Sequence, residues 1–153
     1  MGERAPELFA ELRQASIERL VEVREALDES YAAVPADAAR ERFEVLLDRF
    51  HAYLVDGDAE RQRRFIRRYL ALRLGEGRSP ESIMHALVTV CDVLVQTARH
   101  ELLPDNATLD LVCALQRMNY VTARSVSDVL AEDHQRKVVK AAELSSPPGE
   151  GSA

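Results

Sequence analysis

The chain has no tryptophan, and with four tyrosines and four phenylalanines only 5% of it is aromatic. That scarcity argues against a stacking platform for single-stranded nucleic acid, where aromatics interleave with basic residues. It also leaves little material for a haem pocket, which packs bulky apolar side chains around an inward histidine. Cysteine is rarer still: Cys91 and Cys113 lie on apolar helical stretches without metal-type spacing, and both read as buried thiols. Glycine and proline number six each and sit mostly at the borders of periodic segments or in the tail, which favours an all-helical chain. Basic excess is missing too, and a net charge of −6 speaks against a general nucleic-acid binder. No apolar run is long enough for a membrane: the richest stretch, Ala86 to Val95, carries Asp92 and is far too short. The opening MGERAPELF lacks an apolar leader core and lacks Ser or Thr at position 6, so neither a secretory signal nor myristoylation is expected. The simplest reading is a cytoplasmic protein without membrane or nucleic-acid partners.

What is present suits one soluble domain. At 153 residues, with 46% apolar and 30% charged residues, the chain can bury a real core and is not disordered in composition. Five helical segments can be read. The first runs from about Pro6 to Ala33, with Phe9, Leu12, Leu20, Val23 and Leu27 as its stripe, and Val34-Pro35 ends it. Asp37 is placed to cap the second, where Ala39, Phe43, Leu46, Leu47, Phe50 and Leu54 keep helical spacing. Gly57 closes it, Asp58 can cap the third, and Phe65, Ile66, Tyr69, Leu70 and Leu74 form the third segment's inner face.

Gly75 and Gly77 break that segment, and Ser79-Pro80-Glu81 is the best start signal in the chain. The fourth, Pro80 to about Leu103, carries two stripes: Ile83, Leu87, Val90, Leu94 and Ala98, and Met84, Val88, Cys91, Val95 and Leu102. It should be the most buried element.

The last segment has no Gly or Pro between Asp105 and Ser146, and its apolar face is read as Leu109, Val112, Leu115, Met118, Val121, Val126, Val129 and Leu130. Beyond that face, AEDHQRKVVKAAEL remains rich in helix formers but poor in apolar residues. Residues 131–144 therefore read as an output helix at the end of a helical domain spanning 1–144, with SSPPGEGSA, 145–153, as a disordered tail.

Catalytic and cofactor motifs are missing: no GxGxxG, P-loop, GxSxG or HExxH occurs. Asp48 and His51 share a helix turn as in carboxylate-bridged metal bundles, but no second pair accompanies them, and a solvated face is the better reading. Glu132-Asp133-His134 are adjacent helical residues that point in different directions and read as polar surface. His51, His85, His100 and His134 all fall off the apolar faces, so neither haem nor another cofactor is expected. The arginines at 61, 63, 64, 67, 68, 73 and 78 read as the solvated side of an amphipathic helix, with a basic patch for an acidic partner as the other option.

Three passages carry a resemblance: ELRQASIERLVEV, RFEVLLDRFHAYLVDGD, and RRYLALRLGEGRSPESIMHALVTVCDVL. In the last, an arginine-bearing helix, a glycine turn, a Ser-Pro cap and an apolar helix follow one another. The order resembles the N-terminal domain of RsbR-type stressosome proteins over most of residues 7 to 135, by hydropathy and turns and without a chemical motif. The resemblance implies a globin-like helical homodimer without haem, non-catalytic, that senses an input and passes it through the last helix to a STAS output domain within a partner-switching system; an unidentified small molecule is one expected signal. No STAS domain lies within these residues, and no site residue is carried over. The GRSPESIMH stretch also resembles the helical N-terminal domain of RsbU-type phosphatases, which binds a switch kinase; a haem-binding globin sensor ranks below both. For the homodimer, the first and last helices are expected to pair through Phe9, Leu12, Leu20, Val23, Leu27, Val112, Leu115, Val126 and Val129, with Asn119 and Thr122 setting register.

Overall fold

The computed structural model describes residues 4–27 and 29–145, and all regular structure among them is helical. The helices are α1 (Ala5–Leu27), the single turn α2 (Glu29–Ala32), α3 (Ala36–Asp56), α4 (Ala59–Gly75), α5 (Pro80–Glu101) and the long α6 (Asn106–Ser145). The predicted tail lies outside the described residues, except for Ser145, which belongs to α6.

Turn chemistry explains most boundaries. Gly57 takes a left-handed φ of 65° and its N–H donates to the Tyr53 carbonyl at 2.7 Å, ending α3. The Asp58 carboxylate then accepts the Arg61 N–H at 3.0 Å and caps α4. Ser79 caps α5 in the same way, its hydroxyl accepting the Ser82 N–H at 3.1 Å. The Asp105 carboxylate receives the Thr108 N–H at 2.9 Å at the start of α6, and that hydrogen bond holds its pKa below the usual value.

Two boundaries depart from the sequence reading. The single helix expected over 6–33 is divided, and the added turn α2 directs Tyr31 into the core, stacked at 6.1 Å on Phe43. Asp37 does not cap α3: the Pro35 carbonyl already accepts the Ala39 N–H at 3.0 Å, so the helix starts earlier and Asp37 falls in its first turn. There its charge still favours the positive end of the helix dipole.

Helices α1, α5 and α6 pack mutually and form the centre of the molecule. Around them the α3–α4 hairpin straddles two neighbours, with α3 lying mainly on α1 and α4 mainly on α6. Ile83, Leu87, Val90, Leu94 and Ala98 of α5 are all buried, as that stripe predicts. The second stripe is only partly enclosed: Cys91 is buried, whereas Val88 is 41% exposed. Helix α1 is buried as thoroughly as α5, so α5 does not stand alone as the central element.

The packed face of α6 is rotated from the one expected. Leu109 is 60% exposed, and the buried positions are Thr108, Leu111, Leu115, Met118, Thr122, Ser125 and Val126, with Ala114. Their spacing alternates between three and four residues, the seam of one helix lying along others. Small hydroxylated side chains in that seam hid it from a reading based on large apolar residues.

The buried stripe of α5 should dominate stability. Leu87→Ala and Leu94→Ala are expected to cost about 2–5 kcal/mol each, against under about 1 kcal/mol for the half-exposed Val88→Ala. Urea unfolding checks both; small losses at Leu87 and Leu94 would contradict the packing.

Candidate functional site

Most of the residues expected to pair two subunits are enclosed within one. Phe9, Leu12, Leu20, Leu27, Leu115 and Val126 are buried in the subunit's own core, while Val23, Val112 and Val129 are half-buried against it. The apolar surface left over lies elsewhere. Asn119 is half-buried and Thr122 buried, and the Thr122 hydroxyl has no hydrogen-bond partner among the described residues.

The distal end of α6 is one such place. From Ala131 onward every described residue is exposed except the half-buried Asp133, and Val138, Val139 and Leu144 show their side chains to solvent. The helix persists because its composition favours it and because Asp133 and Lys137 pair one turn apart at 2.9 Å. Its last tie to the body is a two-pronged ion pair: Arg67 of α4 donates to both Glu132 oxygens at 2.8 and 2.9 Å. The same guanidinium holds the Glu132 carboxyl below its usual pKa. Glu132, Asp133 and His134 are thus separately engaged or solvated surface groups.

Asp48, on α3, reaches across to Arg13 of α1 at 2.8 Å, and His51 stacks on Phe9 with ring centres 6.1 Å apart. His85, exposed, approaches the Ala26 carbonyl at 3.3 Å, and His100 and His134 are exposed. No group of three or more His, Cys, Asp or Glu side chains gathers in metal-ligand fashion among the described residues. Of the two thiols, Cys91 is buried and its pKa is pushed up to about 12 by desolvation, with the nearby Asp92 charge adding to it. Cys113 is exposed, against the expectation of a buried thiol, because the rotation of the α6 seam turns it outward.

The arginine-rich α4 is more structured than a solvated face. Arg61 pairs with Asp56 at 2.6 Å, Arg63 with Glu60 at 2.7 Å, and Arg67 with Glu132. Arg73 is only 6% exposed, so its expected place on the solvated side is wrong. It lies seven residues past the buried Ile66, on the same inner line as Leu70 and Gln62. Its Nη1 bonds Glu76 at 2.8 Å, its guanidinium carbon sits 5.1 Å from the Tyr69 ring centre, and its Nε finds no partner among the described residues.

Beside it the Tyr69 and Tyr31 hydroxyls meet at 3.1 Å, and Arg78 covers the Tyr31 ring at 4.0 Å. Desolvation, reinforced by the Tyr31 hydroxyl, pushes the Tyr69 phenol well above its ordinary value.

This cluster borders a groove of about 390 Å³ between α3 and α4. Val45 and Leu46 from α3 and Phe65, Tyr69 and Leu72 from α4 make its apolar lining, and Glu41, Arg42, Arg68 and Arg73 complete it. The groove opens because the hairpin's helices lean on different neighbours instead of closing on each other.

No family model matches the chain, and neither a curated protein nor a solved structure matches it. No described helix is long and apolar enough to cross a membrane.

Two measurements check these placements. Haem added to purified protein is expected to give no stoichiometric Soret band, since His85, His100 and His134 are exposed and His51 is spent stacking on Phe9; a histidine-ligated complex lost on replacing one of them would overturn this. In an alkaline absorbance titration, one tyrosine should remain protonated well past its ordinary value of 10.0. Because folding raises the Tyr69 pKa, its stabilising contribution is complete below pH 10 and falls as pH climbs toward the folded value. Tyr69→Phe should abolish the late-titrating fraction, and its persistence would place the shift on another residue.

Proposed function

We propose that this chain is a non-catalytic sensory and dimerisation domain of a bacterial stress-signalling regulator of the RsbR type, whose last helix carries a signal to an output domain. The all-helical architecture and the order of its turns accord with the resemblance in the three passages named above. The observation that carries the reading is the end of α6: helix 131–145 continues past the core, exposing Val138, Val139 and Leu144. A segment that packs on nothing in its own subunit, yet presents apolar side chains, is suited to lie beside a second copy. Contacts there would be few and weak, which suits a transmitting element, because a small difference in input affinity can shift its register or splay.

On this reading the body folds without the distal helix, and the distal helix adds association. Truncation after Glu132 should leave the melting temperature within a few degrees, while sedimentation of the full chain at tens of micromolar shows a dimer and the truncated chain associates more weakly. A monomeric full chain would refute the dimerisation role. A large fall in melting temperature on truncation would make the segment part of the folded body and refute the output role.

A further inference from the structure

We propose that the α3–α4 groove is the docking site for an acidic amphipathic helix of a partner protein, a surface separate from the distal end of α6. Val45 and Leu72, which flank its apolar floor, are 57% and 58% exposed, so large aliphatic side chains stand open to water on both helices. From Phe65 to Leu72 the floor runs seven residues along α4, about 10 Å or two helical turns. That length matches the i, i+3 or i+4, i+7 anchors by which a helix lies in a groove.

Charge selects the kind of helix. In a chain of net charge −6, the lining holds Arg42, Arg68 and Arg73 against a single acid, Glu41. While Arg61, Arg63 and Arg67 on α4 are matched by carboxylates, Arg42 and Arg68 form no ion pair or hydrogen bond among the described residues. Arg73, the third arginine of the lining, is already matched: its Nη1 donates to both Glu76 oxygens at 2.8 and 2.9 Å, so the charge open to a partner is that of Arg42 and Arg68. A carboxylate carried on the flank of an apolar helix would supply Arg68 with a counter-charge and give Arg42, whose charge otherwise acts only at a distance on Glu76, a direct partner, while its leucines cover Val45 and Leu72. Charge-assisted bonds at the lips would fix orientation, and the floor would supply most of the affinity.

The test uses the full chain and a fluorescein-labelled synthetic peptide of about sixteen residues, leucine at helical spacing and glutamate on the flanks, beside a twin with lysine replacing each glutamate. Fluorescence anisotropy is expected to show binding of the acidic peptide in preference to its twin, weakening with salt. Leu72→Asp should weaken it at least about tenfold, with unchanged thermal melting because the side chain is exposed. Arg68→Glu should lower affinity for the acidic peptide and raise it for the lysine twin, a reversal that mere damage to the fold does not produce. Equal binding of the two peptides, or binding indifferent to both substitutions, would overturn the proposal. So would sedimentation showing that Leu72→Asp converts a wild-type dimer into monomer, since the groove would then be a contact between copies.

Discussion

The architecture depends on keeping the main apolar stripe of α5, Ile83, Leu87, Val90, Leu94 and Ala98, away from water. The helix's two stripes leave only a narrow polar strip at His85, Thr89, Asp92, Gln96 and Arg99, so a single neighbour cannot cover it. Helices α1 and α6 take the two sides and in doing so touch each other, and this triangle sets the position of everything else. Full burial of a leucine or valine is worth roughly 1.5–3 kcal/mol, so the five residues of the main stripe outweigh any of the exposed ion pairs. The α3–α4 hairpin is then left to cover the outer flanks of α1 and α6 separately. Its open groove is a result of that division.

Polar groups inside this core are handled in three different ways. Thr97 and Ser125 return their hydroxyls to carbonyls one turn back, at 2.7 Å each to Val93 and Val121, so they satisfy themselves without binding a neighbouring helix. Ser16, Gln62 and Thr122 are buried with a polar atom that lacks a hydrogen-bond partner among the described residues, a cost of about 1–3 kcal/mol apiece in general terms. Arg73 is treated differently again, through an acid, an aromatic face and a hydroxyl pair gathered beside it. The Glu76 carboxyl is held below its usual pKa, first by Arg73 and also by the charges of Arg42 and Arg78. Polar contacts are therefore concentrated at the mouth of the hairpin, whereas the α1–α5–α6 triangle is held chiefly by shape.

Local chemistry was readable from the residues, and long-range geometry was less so. Gly57, Asp58 and Ser79-Pro80 act through their own backbone and the next turn, so their positions alone announced α3, α4 and α5. The buried stripe of α5 was equally plain because large aliphatics mark it. Misplacements arose where a buried position holds a polar or small residue. Thr108, Thr122 and Ser125 define the α6 seam, and a face drawn through the large apolar residues alone falls too near the exposed Leu109. Gln62 and Arg73 were hidden in the same way, although their spacing with Ile66 and Leu70 is a signal that ignores polarity and would have found them. Phe9 and Leu20 carry the same apolar signature whether their own subunit or a second copy covers them, because the sequence marks a side chain as apolar without saying which neighbour encloses it; here both lie in the subunit's own core.

The seam of α6 has a mechanical consequence. Leu111, Leu115, Met118 and Val126 lock the helix to the body by shape, while the small Ala114, Thr122 and Ser125 between them form no hydrogen bond to a neighbouring helix among the described residues. The helix itself is a continuous rod of 40 residues, about 60 Å long at the usual rise. With the body as fulcrum, the free portion is a lever arm of about 20 Å, and a tilt of about 10° at the seam sweeps its tip through about 4 Å. Arg67 and Glu132 sit where the helix leaves the body, the point at which a single exposed ion pair has the least leverage over the position of the tip.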